Sequence, residues 1–572
     1  MEEINYVDSL KDIINVRCDM FKDKTAFIEK LEGKQNFEEI KYSKVKEDIN
    51  GLGTIMINKL NLKGKRVAVI GENSYRWYAT YMAVACGVGI IVPLDKELPA
   101  NEIENLLERS KASAIVYSSR KKDVIEEVKD KLPKNMIYIE MNKEKSDKEV
   151  YSLDELIEEG KREVESGDTS YIDIKINRDE FNILLFTSGT TGKAKGVMLC
   201  HKNICTNIVA AAKIVPKMGE YTSLSVLPMH HTYEFSLDYC FGTYMGATLG
   251  ICQGLKYVAK DLKEIKPHIF VVVPALVENL SKKIDKSIEK TGKEKLIRTA
   301  GKLAKGVSKV GIDLRKKIFK QIHETVGGNL EIIICGAAPI DKEIIEKMET
   351  YGFKFLQGFG TTETSPLIAG TPMNDNEYGT CGKAIYGTEV RIDLSKNEDK
   401  NSNIGEVIVK GDNVMLGYYE MEKETAETIK DGWLYTGDLG YFTKRGNLVL
   451  TGRSKNVIVT SNGKNIYPEE IETELNKIPF INESMVYGKK DSKKKDELIV
   501  TARVTLDEEY IKDKYGDNRP TDEEIEKEIW KYIKELNKNM VSYKAIKKLE
   551  VKKDEFTKTT TMKIKRFEEV KK

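Results

Sequence analysis

Short apolar runs, each ended by charge, glycine or proline, recur along the chain: Arg66–Ile70, Ala114–Tyr117, Met136–Ile139, Ile269–Val273 and Leu330–Ile334. Runs this brief, apolar at consecutive rather than alternate positions, predict strands buried on both faces, as in parallel sheets. Between them lie stretches of helical spacing, among them Asn101–Ser110 and Lys122–Lys131. Such alternation predicts an α/β fold. From about Thr388 the texture changes, and Glu389–Asp393, Gly405–Lys410 and Gly446–Leu450 read as shorter strands of a β-rich subdomain. After Gly452 comes a Lys/Glu-rich remainder with several helical stretches, of a size for a small α+β lid.

The longest uncharged stretch, Trp77–Leu94, approaches the length of a membrane span, but Gly87, Gly89 and Pro93 interrupt it. Tyr75–Cys86 is expected as a core helix and Val88–Val92 as the strand after it. The start, Met1-Glu-Glu-Ile-Asn, has neither the basic residues nor the apolar run of a signal peptide, so a cytoplasmic protein is expected. At 572 residues the chain exceeds the roughly 250–300 that one core supports, which predicts at least two domains. Eight cysteines without a Cys-x-x-Cys pair, and five histidines without His-Glu-x-x-His, point to neither a disulfide framework nor zinc. The net charge of +2 gives no global reason to expect nucleic acid as a partner.

Candidate chemistry begins at Phe186-Thr-Ser-Gly-Thr-Thr-Gly-Lys-Ala-Lys-Gly196, after the mostly apolar Phe181–Leu185. A buried strand is expected to enter a loop of hydroxyls (Thr187, Ser188, Thr190, Thr191), glycines (Gly189, Gly192) and lysines (Lys193, Lys195). Such a loop turns N–H groups and hydroxyls toward phosphate oxygens, with the glycines permitting close approach. The Walker A pattern fails: Thr187 stands where its first glycine would be, and Ala194 where its Ser/Thr would be. The order Thr-Ser-Gly-Thr-Thr-Gly-x-x-Lys-Gly instead resembles the phosphate-binding signature of the AMP-forming adenylate ligases, the acyl/aryl-CoA synthetase superfamily.

Further segments match that superfamily in the order it requires. Cys335-Gly-Ala-Ala-Pro-Ile340 resembles the turn flanking the adenine, with Gly336, Ala337 and Ala338 as the small residues against the base. Gly358-Phe-Gly-Thr-Thr-Glu363 resembles Gly-Tyr-Gly-x-Thr-Glu; Gly358, Gly360 and Thr361 belong to its nucleotide-binding turn. There the resemblance implies Phe359 against the adenine, Thr362 at the α-phosphate and Glu363, with Thr190, holding magnesium. Trp433-Leu-Tyr-Thr-Gly-Asp438 resembles the element whose aspartate, here Asp438, accepts from both ribose hydroxyls. Gly452-Arg-Ser-Lys-Asn-Val-Ile458 matches the domain boundary, with Arg453 at the ribose or phosphate and Lys455 as hinge. This divides the chain into an adenylation domain, 1–452, and a mobile C-terminal lid, 453–572, rotating between two half-reactions. The segment from Thr460 to Glu472 then resembles the loop and helix presented to CoA. Lys558-Thr-Thr-Thr-Met-Lys563 resembles Pro-Lys-Thr-x-x-Gly-Lys, with Lys563 on the adenylation lysine. Thr557 replaces the proline and Met562 the glycine of that pattern.

The implied chemistry is ATP-dependent formation of acyl-AMP and pyrophosphate from a carboxylate, followed by transfer to the thiol of CoA. Leu227-Pro-Met-His-His-Thr-Tyr-Glu234 resembles the acyl-site segment, with His231 and Tyr233 at the substrate. Asp261–Thr325 resembles the long-chain acyl-CoA synthetases, so a long-chain fatty acid is the expected substrate. Residues 281–325 hold 14 Lys/Arg against 5 Asp/Glu, with Leu296, Leu303, Val307, Val310, Leu314, Ile318 and Ile322 near helical spacing. A basic amphipathic helix there can rest on the inner membrane face, or pack on its own domain. Two other readings stand beside a fatty acid–CoA ligase. One loads an acyl carrier protein; the other is a weakly catalytic adenylate- or acyl-binding protein.

Overall fold

The computed structural model describes residues 7–31, 34, 36–187, 194–215, 219–289, 299, 301, 314–395, 402–460, 464–490, 498–559 and 563–571. Two large sheets dominate a large N-terminal domain, and a smaller domain follows. In the eight-stranded sheet, Lys65–Ile70 lies between Gly89–Pro93 and Ala114–Tyr117, parallel to both; Ile137–Glu140 and Val150–Ser152 continue that run. On the other side Ile183–Thr187 pairs parallel to Gly89–Pro93. In the nine-stranded sheet Thr248–Ile251, Thr222–Ser225, Ile269–Val272, Ile332–Cys335 and Lys354–Gly360 run parallel in that spatial order. Every residue of Ile269–Val272 and of Ala114–Tyr117 is buried, which is why consecutive apolar positions rather than alternate ones encode them.

The expected strand 136–139 lies at Ile137–Glu140, and 330–334 at Ile332–Cys335. The core helix is Tyr75–Ala83; a single wider turn, Val84–Val88, joins it to the strand Gly89–Pro93. The β-rich subdomain is antiparallel, with Gly405–Gly411 between Thr388–Asp393 and Trp433–Phe442, and Leu448–Arg453 beyond.

The smaller domain has its own three-stranded sheet. Ile481–Lys490 pairs antiparallel with Leu498–Leu506, which runs parallel to Ile546–Lys552. The helix Asp522–Asn539 puts Ile525, Ile529 and Ile533, spaced by four, into that core. Thr521 and Glu524 exchange side-chain–backbone bonds across its first turn, satisfying donors that a helix start leaves open.

The basic segment 281–325 departs from the expectation of one amphipathic helix. Pro274–Glu289 is helical, Leu296, Leu303, Val307 and Val310 lie outside the described residues, and the segment ends as two short helices, Arg315–Ile318 and Lys320–Thr325. The backbone leaves helical geometry at Phe319, whose ring, with Ile322, is buried against Tyr351 and Phe353. Lys282 lies 3.1 Å from Asp507, and Lys286 pairs with Glu509, both acids of the smaller domain. Part of the basic surface is thus spent between the domains. Among the described residues no helix is long and apolar enough to cross a membrane.

Candidate active site

Two of the sequence-predicted segments, Gly336–Ala338 and Thr361–Glu363, follow the ends of parallel strands of the nine-stranded sheet, the position at which α/β sheets commonly bind ligands. The strands on either side of the predicted phosphate loop pair with each other. Ile183–Thr187 and Lys195–Leu199 pair antiparallel, with Thr187 directly opposite Lys195. Ser188, Gly189, Thr190, Thr191, Gly192 and Lys193 lie outside the described residues. Lys195 Nζ stands 4.4 Å from the centre of the Tyr418 ring, and the Tyr418 hydroxyl donates to Glu363 Oε1 at 2.9 Å. Gly417–Tyr418 pairs with the strand Lys195–Leu199, so one buried tyrosine ties the phosphate hairpin to the Glu363 turn.

That turn follows the strand Lys354–Gly360. At Gly360 a Cβ would come within 1.7 Å of the Pro366 carbonyl oxygen, so only glycine allows the chain to fold back there. Thr361 starts the short 3₁₀ turn Thr362–Thr364, which carries Thr362 and Glu363. Asn207, fully buried, donates to Thr364 O at 2.9 Å and accepts from Leu367 N at 2.8 Å. Asn203, one turn earlier on the same helix, donates to Asp412 O and Val414 O at 2.8 and 2.9 Å. The helix His201–Ile214 thus clamps two loops of the site. Phe359 is largely buried between Ile368, Ala369 and Val407, behind Gly358.

The turn Gly336–Ala338 follows the strand Ile332–Cys335. Ala337 takes φ +73°, a left-handed conformation that favours glycine. The Tyr233 hydroxyl lies 3.1 Å from Val272 O and 3.2 Å from Ile334 O, sealing two strand ends, and a Cβ at Gly336 would press on its ring at 3.1 Å. The His231 and His230 rings lie tilted by 45° with centres 4.0 Å apart, and His230 Nε2 lies 3.5 Å from Asp95. Burial holds His230 down to about 3 and His231 well below its ordinary value; His230 and Lys563 add to the depression of His231. Both rings are neutral near pH 7, which excludes His231 as a fixed cation for a carboxylate.

Two buried acids follow. Glu234 accepts from Ser225 Oγ, and Asp238 accepts from Ser223 Oγ at 2.5 Å. Burial, with their mutual repulsion, raises Glu234; burial raises Asp238 to about 7.

Asp438 and Arg453 face each other across neighbouring strands, with Nε 2.8 Å from Oδ1. Arg453 keeps 46% of its side-chain surface accessible, and Lys563 is also exposed by area. Yet surrounding protein desolvates Lys563 enough to lower its pKa, with Arg453 adding to the depression and Asp438 and Glu363 opposing it. Lys563, Arg453, Asp438 and Glu363, from four separate segments, thereby share one electrostatic site, with His231 within its field. Lys455 sits on the short turn Ser454–Asn456, immediately after Arg453. Met562 lies outside the described residues.

Tyr418, Asn203 and Asn207 escape sequence reasoning. Two asparagines four apart on an otherwise apolar helix were the available signal, since buried amides need partners. Tyr418 gives none, because its two contacts are made by residues 55 and more than 200 positions away.

Comparison with known proteins bears on the family and the fold. The family model "AMP-binding enzyme" matches residues 14–419, and "AMP-binding enzyme C-terminal domain" matches 455–571. The chain is 26% identical over 535 residues to a long-chain-fatty-acid–CoA ligase of Mycobacterium bovis, covering 88% of this chain and 86% of the relative. It is 28% identical over 459 residues to long chain acyl-CoA synthetase 4 of Arabidopsis thaliana, covering 74% and 67%. The crystal structure of an anthranilate CoA ligase in complex with anthranoyl-AMP has the same fold, with a TM-score of 0.78 at 19% identity over 99% of this chain and 97% of that one. The chain belongs to the AMP-binding enzyme family and is an adenylate-forming enzyme of the ANL superfamily.

Proposed function

We propose that this AMP-forming acid–CoA ligase acts on a long-chain fatty acid. The observation that carries the reading is the pairing of Asp438 with Arg453 at 2.8 Å, with Glu363 and Lys563 in the same electrostatic neighbourhood. A carboxylate and a triphosphate repel each other as they meet, and an ammonium between them offsets that repulsion. In the first step a carboxylate oxygen attacks the α-phosphorus of ATP, and the bond to pyrophosphate breaks. The carboxylate is already ionised, so no base is required. In the second step the CoA sulfur attacks the acyl carbon and AMP leaves.

Thr187 and Lys195 hold the base of the phosphate loop, Thr362 lies at the α-phosphate, and Asp438 receives the ribose hydroxyls. Phe359 and Gly336–Ala338 flank the adenine, and His231 and Tyr233 adjoin the acyl group. The hinge is Lys455, between domains 1–452 and 453–572. A magnesium ion fits the donors. No group of three or more His, Cys, Asp or Glu side chains gathers for a metal among the described residues; Glu363 offers a hard carboxylate, and Thr190, the other ligand the motif implies, lies outside the described residues. Magnesium is commonly held by one or two carboxylates and substrate phosphates, and when bound it neutralises phosphate charge. Long-chain preference is supported by the names of relatives that align along most of the chain.

The test is ATP–pyrophosphate exchange across acids from acetate to oleate, with CoA and a holo-acyl carrier protein compared as thiol acceptors. Exchange peaking with long chains, falling by about 100-fold or more in Lys563→Ala, and product on CoA are the expected results. Exchange confined to short or aryl acids overturns the substrate, and product only on the carrier overturns the acceptor.

A further inference from the structure

Lys563 stands on a short pair of strands in the smaller domain. Thr559 N donates to Lys563 O and Lys565 N to Thr557 O, both at 2.8 Å. Lys563 N donates to Thr559 Oγ1 at 3.2 Å, and Lys558 and Ile564 form an antiparallel bridge. So few pairings do not hold two strands rigid in water. The hairpin needs an anchor.

Glu569 supplies it. Its carboxylate accepts from Thr557 N at 2.9 Å, at the hairpin's base, and the side chain is fully buried (0%). It sits on the terminal helix Arg566–Lys571, which begins where the return leg ends. That helix is fixed in turn: Arg566 pairs with Glu472 and donates to Val486 O at 3.1 Å, while Arg503 donates to Glu569 O. Lys552 Nζ lies 4.0 Å from the second carboxylate oxygen. Burying a carboxylate is costly unless it is hydrogen-bonded, so the Thr557–Glu569 contact is held strongly. The resembling motif has proline at 557, which has no N–H to give. The residue that breaks the pattern is the residue that provides the donor.

We propose that Glu569 is a positioning residue for acyl-adenylate formation, fixing Lys563 in place through the Thr557 N–H. The proposal rests on Lys563 serving the first half-reaction. Four variants test it: Glu569→Leu removes the acceptor, Glu569→Gln keeps an oxygen in place, Thr557→Pro removes the donor, and Lys563→Ala is the reference. Each is assayed for ATP–pyrophosphate exchange with oleate, for thiolysis of prepared oleoyl-AMP by CoA, and for thermal midpoint.

Glu569→Leu is expected to lower the exchange kcat on the order of 10- to 100-fold, the scale of an ångström-level misplacement, with KM for ATP unchanged and thiolysis near wild type. Glu569→Gln is expected to exchange almost normally. Should Glu569→Leu fail to fold, Thr557→Pro carries the same expectation. Wild-type exchange in the variant lacking acceptor or donor, beside a collapsed Lys563→Ala, overturns the proposal. So does an equal loss in both half-reactions, which marks a merely structural role. Exchange that survives Lys563→Ala overturns instead the reading on which the proposal rests.

Discussion

At the scale of single residues, the site depends on groups that hold others in place. Tyr418 is the clearest: its hydroxyl fixes Glu363 while its ring lies beneath Lys195. Tyr418→Phe keeps the ring and deletes the hydrogen bond to a charged acceptor, a contact worth about 1.5–3 kcal/mol. Exchange is expected to slow by about tenfold or more, with KM for the fatty acid unchanged; steady-state kinetics check this. Ala337 presents the opposite case, an L-residue held at φ +73°. Ala337→Gly removes that strain, about 1–2 kcal/mol, against the smaller entropy cost of glycine. A small rise in thermal midpoint is expected, read by calorimetry. The sequence pointed to the charged and hydroxyl-bearing residues proposed for the nucleotide, because their types and order are tied to that chemistry. It did not disclose Tyr418 or Asn207, whose partners are set by sheet register and helix packing across the fold.

At the scale of elements, the segment Thr232–Met245 combines helical turns with the wider turn Phe235–Cys240, and it buries Glu234 and Asp238. Asp238 is raised from its ordinary value to about 7 by burial. The unfolded chain gives up this proton near pH 4, the folded chain only near 7. Its contribution is therefore fully present below about pH 4 and is lost progressively as pH rises toward 7. Asp238→Asn is expected to raise the thermal midpoint at pH 7–8 and leave it nearly unchanged at pH 4; melting across that range decides. The buried parallel strands were legible because consecutive apolar runs leave little alternative. The hairpin that presents the phosphate loop was not, since nothing in Lys195–Leu199 tells an antiparallel partner from a parallel one. Segment 281–325 misled for a related reason: helical spacing cannot register the break at Phe319, where a core pocket takes the ring.

At the scale of the molecule, ion pairs from the helix Pro274–Glu289 bear on the smaller domain: Lys282 with Asp507, and Lys286 with Glu509 and Asp513. Lys477 on the smaller domain answers with Asp341 at 3.5 Å. Exposed pairs are weak and yield to salt. Raising ionic strength from about 0.01 to 1 M, over which the Debye length falls from about 30 to 3 Å, is expected to lower exchange more than thiolysis, as is Lys282→Glu/Lys286→Glu. Equal effects on both steps would remove the pairs from any part in domain placement. The apolar core of the smaller domain, from Ile458 to Leu549, contains no residue of the large sheets. Heat should accordingly meet two cooperative bodies rather than one. A calorimetric trace is expected to resolve two transitions, and a cavity cut at Ile529 should shift only one of them, so that a protein whose small domain has melted still holds its nucleotide but no longer joins it to an acid.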